Sequence, residues 1–156
     1  MADYTCNDVS AAGDWTDSID QCVLTYDDRF LRRKVIKTQT GASVLIDLAQ
    51  TTSLNHGDGL RVQDGKFIAI KAAAEPLLAI TGDNLVQLAW HVGNRHTPCQ
   101  IEPDRLLIQR DKVIGHMLEH LGAVVTEVVE PFTPEGGAYG HGRTHSHEHG
   151  HTAHDH

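Results

Sequence analysis

The feature that most constrains the fold is the alternation of short apolar runs with amphipathic stretches between residues 76 and 132. The runs LLAI, CQIEPDRLLIQ and AVVTEVVEPF have the pattern of β-strands, with one turn inside the second run. TGDNLVQLAWHVGN and DKVIGHMLEHLGA have the spacing of helices. The resulting order, β-α-β-β-α-β, is that of the split βαβ or ferredoxin-like plan.

Each predicted helix has an apolar stripe and a glycine stop. For the first helix, Thr81 or Asp83 is the candidate N-cap and Gly93 the stop. Its predicted buried face comprises Leu85, Val86, Ala89 and Trp90. The second helix ends at Gly122. Its predicted stripe comprises Val113, Ile114, Met117, Leu118 and Leu121.

Residues 21–75 are typical of a small all-β domain. QCVLTYD, KVIKTQ and VLIDLA are β-prone, and LRVQ-DG-KFIAI predicts a hairpin, because Asp64-Gly65 suits a two-residue primed turn. A boundary is expected near Glu75-Pro76. The predicted fold class is therefore α+β: a flexible acidic extension (1–20), an all-β domain (21–75), a ferredoxin-like domain (76–139) and a disordered tail (140–156).

Charge and cysteine content exclude several classes of protein. The net charge of -8 argues against non-specific nucleic-acid binding, which needs cations on phosphates. The three cysteines are odd in number and contain no CxxC, so they predict neither a disulfide framework nor a zinc finger. The acidic start is unlike a signal peptide, and no apolar stretch approaches a membrane span. We therefore expect a cytoplasmic protein that contacts no membrane.

The last sixteen residues, HGRTHSHEHGHTAHDH, cannot pack into a core but can bind metal. Neutral imidazole is a good ligand for Ni²⁺, Cu²⁺ and Zn²⁺. The interleaved Ser, Glu, Gly, Thr, Ala and Asp distinguish this tail from the uniform histidine run of a purification tag. The candidate metal ligands in it are His141, His145, His147, His149, His151, His154 and His156.

Five histidines precede the tail, and they differ in their setting. His56 lies in a turn and His91 on a polar helix side, where a solvated role is favoured. His116 and His120 are four residues apart on the second helix and could chelate a metal together. His96, in GNRHTPCQ (93–100), stands in a tight connection between a helix stop and a strand. From spacing alone an ordinary loop histidine remains the favoured interpretation.

Several motifs together resemble the urease accessory protein UreE family. They are GNRH with Pro98 and Gln100, the run DKVIGHMLEHLGAVV, the run PFTPEGGAYGHG, and the histidine-rich end. The resemblance covers roughly residues 20–156, so residues 1–20 look like an addition to the family pattern. It is most specific in residues 93–96 and 131–139.

The resemblance implies a cytoplasmic nickel metallochaperone that serves urease and is not itself an enzyme. It implies a β-rich peptide-binding-like domain, a ferredoxin-like domain that forms a homodimer, and a surface nickel site at which His96 of both protomers meets. Zn²⁺ or Cu²⁺ could bind as well. Tail histidines would add ligands, with His141 and His145 the best placed. The implied partners are the urease apoprotein complex and the accessory GTPase UreG.

One departure from the family pattern concerns a second site in the body of the protein. Some relatives carry a His-x-His pair where this chain has QRDKV, with Arg110 and Lys112. His116 and His120 lie nearby but do not occupy the same positions. The resemblance therefore leaves a secondary body site in doubt.

Two other interpretations stay open at this level. A storage protein that buffers nickel, zinc or copper would explain the tail but not the GNRH loop. A metal-dependent hydrolase is disfavoured, because the sequence has no HExxH, GxSxG or P-loop.

A basic cluster in an acidic protein predicts a solvated edge strand or a docking face for an acidic partner. It comprises Arg29, Arg32, Arg33, Lys34 and Lys37.

Overall fold

The computed structural model describes residues 2–136. It divides the chain into two compact units, Met1–Ala73 and Ala74–His156. The division falls just before Glu75-Pro76, where the change in sequence texture was expected. The predicted disordered tail, residues 140–156, lies outside the described residues.

The first unit is built from strands arranged in two sheets. The strands are β1 (Tyr4–Cys6), β2 (Asp8–Ser10), β3 (Ser18–Leu24), β4 (Phe30–Lys37), β5 (Ser43–Ser53), β6 (Gly59–Arg61) and β7 (Phe67–Ala72). In one sheet the order is β1-β5-β4, with β1 parallel to β5, and in the other it is β2-β6-β7-β3, with β3 parallel to β7. The buried residues of both sheets form one apolar core.

The predicted hairpin is confirmed, but its loop is one residue longer than the predicted two-residue turn, because the Val62 N–H donates to the Lys66 carbonyl and leaves Gln63–Gly65 between them. β6 and β7 pair antiparallel, with Arg61 opposite Phe67. Between them Asp64 and Gly65 both have positive φ, 67° and 69°. A primed turn needs this backbone at both central positions, and Asp-Gly is a pair that tolerates it.

The prediction of a loose extension at residues 1–20 is wrong for the part that the structure describes. Cys6 is fully buried in the core of the first unit, and β1 pairs with β5. Trp15 stacks on Phe67 with ring centroids 5.4 Å apart. It also closes so tightly over Gly59 that a Cβ there would lie 2.6 Å from the indole. Acidic composition concealed the few apolar side chains that anchor this segment.

The second unit has the predicted element order. β8 (Ala74–Thr81) is followed by α1 (Leu85–Asn94), β9 (Gln100–Ile101), β10 (Leu106–Gln109), α2 (Lys112–His120) and β11 (Val124–Pro131). The strands form one antiparallel sheet in the order β11-β8-β10-β9. β8 and β10 are thus the central strands, and β10 lies between β8 and β9, the two strands that α1 connects, as the split βαβ plan requires.

The two helices agree unequally with their predicted apolar faces. In α2 the buried residues include Ile114 and Leu118, but Val113 is 71% exposed. In α1 the buried residues are Leu88 and Val92, and the prediction is wrong for Val86 and Trp90, which are 85% and 63% exposed. The sequence of α1 was compatible with two overlapping apolar stripes whose centres are about 80° apart, and packing selected the one that contains Leu88 and Val92.

A single apolar cluster in the second unit holds these helices. Its members come from α1, α2 and strands β8 and β10. Neither α1 nor α2 is long and apolar enough to cross a membrane, and residues 2–136 contain no such helix.

Candidate metal centre

His96 lies at the C-terminal end of α1, in a tight turn of defined geometry. The His96 N–H donates to the Gly93 carbonyl at 3.0 Å, and the Thr97 N–H donates to the Val92 carbonyl at 3.4 Å. These two bonds, with a left-handed residue between them, define a Schellman motif. His96 is that left-handed residue, with φ of 56°. His96 is exposed to solvent.

The backbone at His96 is unusual for a histidine. Glycine is the common choice at this position, because a Cβ disfavours positive φ. In residues 2–136 only Asp17, Asp64 and His96 are non-glycine residues with positive φ. A residue held in such a conformation on the surface motivates a functional hypothesis. The structure therefore gives the loop histidine a distinction that its spacing alone did not.

The thiol of Cys99, three residues farther on, is poorly suited to bind metal. Cys99 packs partly buried against the core of the second unit. Burial raises the pKa of its thiol to about 11. With this raised pKa the thiol stays protonated near neutral pH. It is therefore nearly inert as a ligand, because the thiolate is the form that coordinates metal.

The chain that leaves β11 returns to the same loop. The Thr133 N–H donates to the side-chain oxygen of Gln100 at 2.8 Å, and the Glu135 N–H donates to the Cys99 carbonyl at 2.9 Å. Phe132, next to them, is fully buried. Residues 133–135 thus lie beside residues 99–100, and the histidine-rich end continues from there.

The other four body histidines occupy separate positions. The His56 Nδ1 accepts a hydrogen bond from the Ala72 N–H at 3.0 Å, which gives that ring nitrogen a structural role. His91 meets the Trp90 ring edge-on at 5.0 Å between centroids. His116 and His120 are both exposed on α2. Residues 2–136 bring together no group of three His, Cys, Asp or Glu side chains able to hold a metal.

The predicted tail ligands from His141 to His156 lie outside the described residues, so their prediction stays untested. The stretch that carries a His-x-His pair in some relatives is structural here. The Arg110 guanidinium donates to the carbonyls of Leu77 and Val128, which ties it to strands β8 and β11.

The basic cluster of the first unit separates into two parts. Arg29 is buried, and its guanidinium donates to the carbonyls of Leu54 and Leu24, so neither of the two predicted roles, a solvated edge strand or a docking face, applies to it. Arg32, Arg33, Lys34 and Lys37 are exposed on β4. β4 is an edge strand of its sheet, as predicted. Exposed Lys and Arg side chains on an edge strand protect it from pairing with another chain.

Sequence reasoning missed the polar residues that connect the loop to the end of β11. Gln100 stood only within the family-like motif, and neither Arg105 nor Glu130 was singled out. Alternating charge on strands is common, and nothing local to residue 105 identifies residue 130 as its partner. The exposed apolar pair of α1, Val86 and Trp90, was also misassigned to the core.

Comparison with known proteins gives consistent matches along the chain. The model of the UreE urease accessory protein N-terminal domain matches residues 7–73, and that of the UreE C-terminal domain matches residues 75–156. The match from residue 7 corrects the expectation that residues 1–20 stand outside the family pattern.

Individual relatives agree with the domain matches. A urease accessory protein UreE of Ruegeria pomeroyi is 60% identical over 144 residues, which cover 92% of this chain and 97% of the relative. Proteins of the same name from Ruegeria sp. and Rhodobacter capsulatus are 64% and 53% identical, over 81% and 91% of this chain and 72% and 90% of the relatives. This chain therefore belongs to the UreE family of urease accessory proteins.

Proposed function

We propose that this protein is a cytoplasmic nickel-binding metallochaperone that delivers Ni²⁺ to urease during assembly of its active site. The observation that carries the proposal is an exposed histidine, His96, fixed in a left-handed turn, in a loop whose residues 99–100 are hydrogen-bonded to the chain leading into a histidine-rich end. Family membership supports the role in urease assembly. The metal, the transfer step and the partners belong to the proposal.

A homodimer would complete the site. One chain offers no group of three ligands within residues 2–136, so a His96 site needs ligands from elsewhere. Val86 and Trp90 form an exposed apolar pair on α1, the helix that His96 follows. Apolar groups exposed together are typical of association surfaces. Two α1 helices that cover these side chains across a two-fold axis would each bring one His96 to a shared surface.

The histidine-rich segment can reach that site. His141 is six residues beyond Glu135, a span of up to about 20 Å when extended. The Glu135 N–H donates a hydrogen bond to the carbonyl of Cys99, which is three residues from His96 in sequence. The first tail histidines, His141 and His145, are therefore the best candidates to add ligands, and the later ones would add capacity.

The chemistry of such a site suits a carrier. Ni²⁺ favours several nitrogen and oxygen ligands, so two His96 rings leave open positions for tail imidazoles and water. An incoming partner can add its own ligands before the first ones leave, whereas a closed cage of four ligands is structural. A dissociation constant near 1 µM corresponds to about 8 kcal/mol, which permits both loading and release. The receiving partners would be the urease apoprotein complex and the accessory GTPase UreG.

The test separates His96 from the tail. Calorimetric titration with Ni²⁺ and urease activation in cells are measured for the full chain, for His96→Ala and for truncation after Tyr139. Truncation should lower the number of bound ions but keep about one tight site per dimer. His96→Ala should keep most of the capacity, lose the tight class and weaken activation more than truncation does.

His116→Ala is the matched control, because it removes an exposed imidazole from the same unit and should retain the tight class. A tight site and full activation that survive His96→Ala but not truncation would make the tail the working site. That result would favour the alternative function, storage of nickel, zinc or copper.

A further inference from the structure

A connected set of polar side chains ties the β9–β10 hairpin to the end of β11. The Arg105 guanidinium donates to both carboxylate oxygens of Glu130, with Nη1–Oε2 at 3.0 Å and Nη2–Oε1 at 2.7 Å. Its Nε donates to Glu102 Oε1 at 2.8 Å. A two-pronged pair between a guanidinium and a carboxylate fixes orientation as well as distance. All three side chains are partly shielded from solvent.

The same set extends to Gln100 and fixes the orientation of its amide. The Gln100 Nε2 donates to Glu102 Oε2 at 2.7 Å. A carboxylate only accepts, so the amide nitrogen must face Glu102, and the amide oxygen faces the other way. That oxygen accepts the Thr133 N–H at 2.8 Å. We call Gln100, Glu102, Arg105 and Glu130 the Gln100 clamp.

The residue that the clamp holds is the beginning of the segment that leads to the tail. Thr133 lies two residues past the end of β11, where its N–H bonds to a side chain and not to a strand of the sheet. The second tie, from the Glu135 N–H to the Cys99 carbonyl, extends the same alignment. Both ties end within four residues of His96 in sequence.

We propose that Gln100 is a positioning residue that holds the origin of the histidine-rich segment against residues 99–100, at the end of the loop that carries His96. The first tail histidines then act on nickel at His96 as tethered ligands, whose effective concentration depends on where the tether begins. This inference rests on the proposed function and adds the residue through which the two parts of the site are coupled. Gln100 need not contact nickel.

The test uses a substitution and its compensating exchange. Gln100→Glu replaces the donor to Glu102 with a second carboxylate, and the repulsion should turn the side chain at position 100 away from its position between Glu102 and Thr133. Gln100→Glu combined with Glu102→Gln restores a donor and an acceptor between the two positions, while the oxygen that faces Thr133 is kept. Gln100→Met is the uncharged control of similar size, and it should behave like Gln100→Glu.

Two readouts follow the substitution. Hydrogen exchange in metal-free protein should show at least tenfold faster exchange at Thr133 and Glu135 in Gln100→Glu, with recovery in the double exchange. In the full chain the tight nickel class should weaken about three- to tenfold in Gln100→Glu and recover likewise. After truncation at Tyr139, Gln100→Glu should leave nickel affinity unchanged, because no tail remains to be positioned.

Three results would overturn the proposal. Faster exchange at Thr133 without a change of nickel affinity in the full chain would mean that the anchor has no effect on the site. An equal loss of affinity in the truncated chain would mean that Gln100 acts on the loop itself. A tight nickel site that survives His96→Ala in every Gln100 variant would refute the proposed function as well. A tight site that is lost in His96→Ala but unaffected by substitution of Gln100 would refute this inference alone.

Discussion

The two helices of the second unit end in the same motif but with different residues at its centre. In α2 the Gly122 N–H donates to the Glu119 carbonyl and the Ala123 N–H donates to the Leu118 carbonyl, both at 3.0 Å. Gly122 has φ of 96°, the left-handed conformation that glycine adopts without strain. In α1 the equivalent position is His96. The same backbone problem is therefore solved once by the best residue for stability and once by the histidine that we propose as a metal ligand.

The beginnings of the helices differ in the same direction. The Asp111 carboxylate caps α2 by accepting from the N–H groups of Val113 and Ile114. The N-cap of α1, Asn84, makes no side-chain capping bond. α1 also exposes Val86 and Trp90. The lesson is that α2 is built as a stable element, whereas α1 retains a weak cap, an exposed apolar side and a strained end, as a helix does when part of its surface serves binding.

The largest expected effect concerns the C-terminal end of α1, where His96 lies, and has no counterpart at the end of α2. It is the pH dependence of nickel binding. Free imidazole titrates near pH 6.5, and a ligand imidazole must be neutral. If two imidazoles must each lose a proton, affinity should fall about 100-fold for each pH unit below about pH 6. Calorimetric titration of the chain truncated after Tyr139 measures this without the tail. Undiminished affinity at pH 5 would point to carboxylate or thiolate ligands.

The next effect concerns stability and has opposite signs at the two helix ends. His96→Gly should raise the free energy of unfolding by about 0.5 kcal/mol, because relief of the left-handed strain exceeds the added entropy of the unfolded chain. Gly122→Ala should lower it by about 1 kcal/mol. A Cβ at residue 122 would meet no atom within 4 Å, so the loss would come from the backbone alone.

Urea unfolding of metal-free protein at constant m-value measures both changes. The comparison fails if His96→Gly destabilises the protein by as much as Gly122→Ala, since His96 would then be a structural residue. In His96→Gly the tight class of nickel sites should also disappear.

The smallest expected effect is that of Cys99→Ala on nickel binding. The thiol packs against the core and its pKa is raised to about 11, so it does not supply a thiolate beside His96. Nickel affinity should change less than twofold in a calorimetric titration. A sulfur-to-nickel charge-transfer band in the unaltered protein, lost on substitution, would show that Cys99 joins the site.

Much of the architecture could be predicted from local signals. The order of elements from β8 to β11 follows from apolar periodicity, and the β6–β7 hairpin follows from Asp64-Gly65, whose backbone preference is intrinsic to those residues. The buried residues Ile114 and Leu118 follow from the spacing of α2. The position of His96 between a helix and a strand was likewise predicted, but the predicted stop was wrong, because Gly93 lies inside α1 and His96 itself is the left-handed residue that ends the helix.

Only the tertiary structure decided three further points. The first strands were hidden because β1 pairs with β5, about 40 residues away, and the benefit of such pairing is invisible in a short acidic segment. The exposed side of α1 was undecided because two overlapping stripes are equally periodic, and the surrounding strands selected Leu88 and Val92. The link from Gln100 to Thr133 depends on side chains that converge only after the sheet has formed. Local preferences thus determined which elements exist, whereas long-range packing determined which surfaces they leave open and where the chain leading to the tail meets residues 99–100.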